Sequence, residues 1–349
     1  MRNTLILLVA LMATPATPAL ADAQAAVQQT PPPQPPAPPR PAQRIYADRG
    51  QEAREEQRET FTKTVRIGRS GILDVQNLSG NIEIMRGGGD EVTIEVTKIA
   101  RGRTQEQARE LLPLVTVEIN NRGDRADVRT IYPHDEMRGR RNFHVSVNYM
   151  IRAPQNTRIT ARSISGNVKA TEIRGELALE TTSGNVHIVD AARVTRAKTT
   201  SGNVELTNID SDAALEAGTM SGNVIVRQAK ARRMALETIS GSVIVLDVET
   251  ERLGATSLSG NVEFSGKLSK GGRYELKSHS GNVKLIVAAG SGFEVEAHSW
   301  SGGVHSDFNI GGSEEPTRGR RKIIRGVVGD GSAVVTITTF SGNVHLGKR

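Results

Sequence analysis

From about Thr157 to the C-terminus, apolar and polar residues alternate in short runs on both sides of one recurring tetrapeptide, Ser-Gly-(Asn, Ser or Gly)-(Val or Ile). Its glycine stands at Gly80, Gly166, Gly184, Gly202, Gly222, Gly241, Gly260, Gly281, Gly302 and Gly342. From Gly166 onward the spacings are 18, 18, 20, 19, 19, 21, 21 and 40 residues. Six and four places before each serine stand apolar pairs such as Leu177/Leu179, Met234/Leu236 and Tyr274/Leu276, and two before it a Thr or Ser. Three and five places after it come Val186/Ile188, Val204/Leu206 or Val262/Phe264. Period 2 on both sides of a fixed turn predicts two short strands per repeat, each burying one face. A single unit cannot bury that face, but stacked units make a continuous core and pair strand on strand. The expected fold is all-β, a parallel β-solenoid (β-helix) of about 20-residue coils over residues 157–349, nine coils spanning about 40 Å.

The turn residues suit a corner. Gly166, Gly184, Gly202, Gly222, Gly260, Gly281 and Gly342 meet a need for positive φ or close backbone approach. Asn167, Asn185, Asn203, Asn223, Asn261, Asn282 and Asn343 follow them and are expected to stack as an amide ladder that satisfies corner backbone groups. The gap of 40 residues is read as one coil carrying an inserted loop, 311–325.

Residues 60–156 are less regular. Phe61–Ile67, Ile72–Asn77, Ile82–Met85, Val92–Ile99, Val115–Asn120, Ala126–Tyr132 and Phe143–Ile151 alternate as strands, and Thr104–Leu112 reads as one short helix with Thr104 as N-cap. This predicts a β-rich region that caps the coil stack. Upstream, Arg2, the apolar run Leu5–Ala13 and Ala19-Leu20-Ala21 make residues 1–21 a signal peptide, too short in its apolar run to span a membrane. Residues 22–59, with their proline run Pro31–Pro41 and charged end, read as a disordered tether, Asp48–Glu59 as a transient polar helix at most. The expected place is periplasmic or at the cell surface. There is no cysteine, hence no disulfide.

The order Phe61-x-Lys63-x-Val65, then Gly71-Ile72-Leu73-Asp74-Val75-Gln76-Asn77-Leu78-Ser79-Gly80-Asn81-Ile82, then Asp90-Glu91-Val92, then serial Ser-Gly-Asn-Val turns, resembles a bacterial domain of unknown function labelled "putative adhesin". The resemblance covers roughly residues 60–349. It implies a surface or periplasmic β-solenoid and offers no catalytic residue to carry over.

Charge and chemistry alter this picture little. The net charge is +7 and the pI near 9.8, with basic clusters at Arg138, Arg140 and Arg141 and at Arg318, Arg320, Arg321 and Lys322, the latter an anion-binding candidate. Nucleic acid is excluded by the export signal, the few aromatics and the lack of a recognition motif. Seven places after the motif serine stand Glu172, Asp190, Asn208, Gln228 and Asp247, a column that suits turns better than a cation. His187, His305 and His345 share an outward position, the last two on adjacent coils, and read as exposed strand residues without a further ligand. The motif serines lack a repeated base. No catalytic residue, cofactor or metal is expected.

The residue just before each serine becomes bulky and apolar toward the C-terminal half: Ile164, Met220, Ile239, Leu258, Trp300 and Phe340, with His279 among them. Outward parity makes Met220, Ile239, Leu258, Trp300 and Phe340 a candidate partner-binding stripe. A bulge at the corner, or the 311–325 loop, would hide it. The chain ends just past Val344–Leu346, which leaves an expected open edge guarded by Lys348 and Arg349 and open to self-association. The expected function is an exported, non-enzymatic adhesin-like or envelope-structural module that binds an envelope polymer or protein. The alternatives are a polysaccharide-binding or polysaccharide-cleaving β-helix and a self-assembling envelope scaffold.

Overall fold

In the computed structural model the described residues are 55–133, 144–310 and 322–349. The signal segment, residues 22–54 of the tether, and Arg138, Arg140, Arg141, Arg318, Arg320 and Arg321 lie outside them. The first part comprises β1 (Glu55–Arg66), β2 (Ile72–Ser79), β3 (Ile82–Arg86), β4 (Glu91–Gly102), α1 (Gln105–Leu111), a 3-10 turn Leu112–Leu114, β5 (Thr116–Arg122), β6 (Arg125–Ile131) and β7 (His144–Ala153). Strict alternation in β4, where Val92, Ile94 and Val96 are fully buried, lets it pair antiparallel with both β1 and β7. The Thr104 side chain caps α1 by accepting the Gln107 N–H at 3.2 Å, and Ala108 and Leu111 are its buried side.

One expectation changes here. β1 starts at Glu55, within the segment read as tether, and Glu55–Glu59 are extended rather than helical. Their backbone groups pair with Lys98–Gly102 of β4, and Glu56 joins Arg101 across the strands at 3.0 Å. A charge-rich sequence suits this position because β1 is an edge strand, where charge discourages further pairing.

The coils follow: β8 (Arg158–Ser165), β9 (Val168–Thr171), β10 (Leu177–Ser183), β11 (Val186–Ala191), β12 (Val194–Ser201), β13 (Val204–Asp210), β14 (Ala214–Ser221), β15 (Val224–Ser240), β16 (Val243–Leu246), β17 (Glu249–Ser259), β18 (Val262–Gly266), β19 (Arg273–Ser280) and β20 (Val283–Val287). They build two parallel ladders. One runs β6, β2, β8, β10, β12, β14, β15, β17, β19, and the other β7, β3, β9, β11, β13, β15, β16, β18, β20. β15 is long enough to serve both. Motif serines lie in register from Ser79 through Ser165, Ser183, Ser201, Ser221, Ser240 and Ser259 to Ser280. The result is an all-β, solenoid-like sheet with one short helix. Its interior is filled by the inward positions, including Phe264 edge-on to Tyr274 at 5.4 Å.

The corner explains the motif. At Gly222, φ is 141° and a Cβ would lie 2.1 Å from the Gly202 carbonyl oxygen, so no larger residue fits without moving the backbone of the coil below. Each Asn side chain accepts the backbone N–H of the next corner, as Asn185 Oδ1 does from Asn203 at 2.8 Å and Asn203 Oδ1 from Asn223 at 2.9 Å. The buried hydroxyls complete it: Thr199 donates to Gly184 O at 2.8 Å and Thr219 to Gly202 O at 2.9 Å. Glu172, Asp190, Asn208, Gln228 and Asp247, offered by the sequence as turn or cation column, all take φ between 51° and 57°, and Asp190, Asn208 and Gln228 do so inside β11, β13 and β15, where they step out of the ladder register. Asn and Asp tolerate that left-handed conformation; Glu and Gln do so at a cost.

At the C-terminal end, chain order and spatial order part. β21 (Phe293–Ser299) and β22 (Val304–Ser306) are followed by β23 (Lys322–Val328), β24 (Val334–Ser341) and β25 (Val344–Lys348). β24 lies between β19 and β21, and β25 between β20 and β22. β23 covers the outer side of β21 antiparallel. The expected open edge at Val344–Leu346 is therefore wrong: that strand is paired on both sides, and self-association through it loses its basis. Of the expected 311–325 loop, Lys322–Arg325 belong to β23 instead, and the rest lies outside the described residues. Burial decides the arrangement. Val335, Ile337 and Leu346 are fully buried and need neighbours on both sides, whereas β23 and the three-residue β22 are half-exposed and tolerate an edge.

Candidate functional site

The stripe is exposed. In the first ladder the hydroxyl residues pair with one another and the motif serines with one another, as in Thr199 with Thr219 and Ser201 with Ser221, so the residue between them projects outward at the corner. Met220, Ile239, Leu258, Trp300 and Phe340 are 45–54% exposed, far above what such side chains show when buried in a core. Because β24 inserts beside β19, the spatial order is Met220, Ile239, Leu258, His279, Phe340, Trp300. Phe340 stacks on His279 at 5.0 Å between centroids and 6° between planes, and on Trp300 at 6.2 Å and 24°. Ile164 is also exposed, but Thr182 and Thr200 separate it from the rest. The stripe forms one wall of a groove of about 640 Å³ running across these coils. Its floor is small, with Gly218 and Thr256 among the lining residues, and Lys198, Glu216, Glu237 and Lys277 flank it. The Lys198 ammonium donates to Glu216 and, with Arg196 alongside, holds that carboxyl below its ordinary 4.5.

A second column was missed by the sequence reading. Arg233, Arg252 and Arg273 stand seven places before successive motif serines and are in register on β15, β17 and β19. They line a depression of about 470 Å³ over Ala235 and Gly254. All three are exposed, and among the described residues none forms an ion pair. Glu275, the one acid lining the depression, is joined to Lys277. The same column near the start of the stack is neutralised, Arg158 pairing with Glu176 at 3.2 Å. The next outward columns are also paired there, Arg162 and Arg196 each reaching Glu180 at 3.2 Å. The column is visible in the repeat, seven places before Ser240, Ser259 and Ser280 and on the outward parity.

Of the expected anion site Arg318, Arg320, Arg321 and Lys322, only Lys322 is described; it opens β23 opposite Ser299 and is exposed. Among the described residues no helix is long and apolar enough to cross a membrane.

Comparison with known proteins adds the family. The model described as Toastrack DUF4097 matches residues 72–347. No curated protein matches the chain. Similar solved structures include a "putative adhesin" from Bacteroides fragilis NCTC 9343, with 13% identity, a TM-score of 0.42, and coverage of 83% of this chain and 97% of that one. Another, from Parabacteroides distasonis ATCC 8503, has 14% identity, a TM-score of 0.40, and coverage of 83% and 97%. A "Putative lipid binding protein" from the same organism has 12% identity, a TM-score of 0.43, and coverage of 82% and 96%. At this level of similarity no residue role passes from them to this chain.

Proposed function

The chain belongs to the Toastrack DUF4097 family, and from that premise we propose that it is an exported, non-enzymatic binding module that holds an anionic envelope polymer on the outer face of its coil stack. The finer fold reading goes with it: a parallel β-solenoid of one coil per Ser-Gly-Asn-Val corner, about 20 residues each, carried on the Pro-rich tether.

The observation that carries the proposal is the pairing of two parallel columns on one sheet face. The apolar stripe from Met220 to Trp300 and the column Arg233, Arg252 and Arg273, which forms no ion pair among the described residues, lie six residues or about 20 Å apart along the strands and share the rungs of Ile239, Leu258 and His279, with rungs about 4.8 Å apart. A polymer crossing this face along the strands meets both at those three rungs. Aromatic planes such as Phe340 and Trp300 accept apolar faces, while arginine forks accept carboxylate or phosphate oxygens bidentately. Apart from Ser163, the buried hydroxyls that repeat two places before the motif serine donate to carbonyls, as Thr238 does to Gly222 O at 2.9 Å, which favours a structural over a nucleophilic role.

Trp300 is the only tryptophan, so its emission reports on the site directly. Titration of the full chain with anionic envelope polysaccharide is expected to give a saturable change in that emission, weakened by salt and by Arg252→Ala, and abolished by Phe340→Ala. A neutral glycan of the same length should bind more weakly. An unchanged emission with every polymer, or equal binding by wild type and Arg252→Ala, overturns the proposal; a response only to an added protein fraction would favour a protein partner instead.

A further inference from the structure

Two histidines and an aspartate meet at the C-terminal end of the stack, in neither the groove nor the arginine column. β22 pairs with β25 so that His305 lies opposite His345. The two imidazoles are parallel, 5.5 Å between centroids and 5° between planes. Asp307, two residues beyond His305, falls on the same outward side, and its N–H donates to Leu346 O at 2.9 Å, which ties it to β25. One carboxylate oxygen lies 3.3 Å from His305 Nε2 and the other 3.9 Å from His345 Nε2. One ligand atom from each residue falls within 4.8 Å of the other two.

We propose that His305, His345 and Asp307 bind a divalent ion of the zinc class, with water in the remaining position. Metal–ligand bonds of about 2.0–2.2 Å place two ligand atoms about 3–4 Å apart, so small side-chain rotations convert the present spacing into coordination. Two imidazoles and one carboxylate select Zn²⁺ or a neighbouring transition ion over Mg²⁺ or Ca²⁺, which take oxygen ligands. The surroundings leave room. A Cβ at Gly347 would come within 3.0 Å of His345 Nε2 and 3.7 Å of Asp307 Oδ2, so glycine keeps that side open. The next residue in the column, Lys284, is engaged with Glu263 at 3.6 Å, and Lys348 lies over the Phe308 ring at 5.2 Å. All three ligands are surface groups, so the site exchanges freely with solvent.

The ion would join the short outer strand β22 to β25 and so fasten the last rung of the stack, with stability rising with free metal by mass action. The test is calorimetric titration of the untagged full chain with Zn²⁺, together with the visible absorption of Co²⁺ added in its place. The expected result is one ion per chain and a higher unfolding temperature in Zn²⁺. Removal of even an outer-shell partner costs 10–100-fold in affinity, so His305→Ala and His345→Ala should each lose about 100-fold or more. Asp307→Asn keeps the side-chain shape and should also weaken binding while leaving the circular dichroism unchanged. The proposal is overturned if no saturable binding occurs, if the double variant His305→Ala/His345→Ala binds like wild type, or if His187→Ala, beside Glu205 elsewhere on the stack, weakens binding as much as His305→Ala.

Discussion

The middle coils and the C-terminal end are built from the same corner but obey different rules. Between Ser165 and Ser280, neighbours in sequence are neighbours in space, and each corner rests on the one before it: Gly184 on Gly166, Gly202 on Gly184, Gly222 on Gly202. At the end, Gly342 rests on Gly281 and Gly302 rests on Gly342. The corner is thus a standard joint that accepts any coil presenting the same backbone. Freed from chain order, the end brings Phe340 between His279 and Trp300 and gives β25 two partners. Regularity in the middle makes the stack; the exchange of order at the end assembles the aromatic cluster.

The sharpest way to break the comparison is to remove one phenylalanine from each setting. Phe264 is fully buried against Tyr274 in the middle, so Phe264→Ala should cost about 3–5 kcal/mol. Phe340 is half-exposed at the end, and Phe340→Ala should cost no more than about 1 kcal/mol, the worth of an exposed aromatic contact, while abolishing ligand binding. Urea denaturation of both variants measures the difference. Glycine position provides the next contrast. Gly222→Ala meets the Gly202 carbonyl at a positive φ and should lose about 3 kcal/mol, whereas Gly254→Ala has no atom within 4 Å of the new methyl and should stay within about 0.5 kcal/mol of wild type.

The opposite end is sharpened by pH. Burial pushes the Tyr149 phenol up to about 12, against a hydrogen bond with Thr130 that acts the other way. The folded chain therefore holds this proton more tightly than the unfolded chain, whose tyrosine titrates near 10. Its contribution is whole below pH 10 and is lost as pH rises toward 12, about 3 kcal/mol in all. Tyr149→Phe should flatten that part of an alkaline unfolding curve. The smallest effect lies in the asparagine ladder. Asn203→Ala leaves the part-buried Asn223 N–H unbonded and should cost about 1 kcal/mol; Asn343→Ala leaves an exposed Gly303 N–H that water can serve, and should cost less than about half of that. Equal losses would mean that the ladder is as dry at the end as in the middle.

The recurring Ser-Gly-Asn-Val corner, the inward pairs such as Leu177/Leu179, the Thr104 cap and the outward position of Met220 and Trp300 could all be read from the chain. Each depends on local geometry: a two-residue period, a turn that demands glycine, a hydroxyl next to an exposed N–H. The start of β1 at Glu55 was not legible, because a charged segment becomes a strand only when another strand supplies its hydrogen bonds, and β4 is some forty residues away. The arginine column was legible in principle, since it follows from the repeat alignment; that Arg233, Arg252 and Arg273 have no acidic partner among the described residues while Arg158 has Glu176 did not follow from it.

What the sequence determined by itself is the coil: its strands, its corner, and which side chains point in or out. What only the tertiary structure decided is the order in which coils stack at the C-terminal end, and with it the seating of Phe340 between His279 and Trp300 and the burial of the last strand. The reason is that every corner offers the next coil the same backbone groups. Local signals make each coil but are degenerate for its neighbour, and the choice falls to burial over the whole end, where β24 and β25 hide Val335, Ile337 and Leu346 and leave the half-exposed β22 and β23 outside.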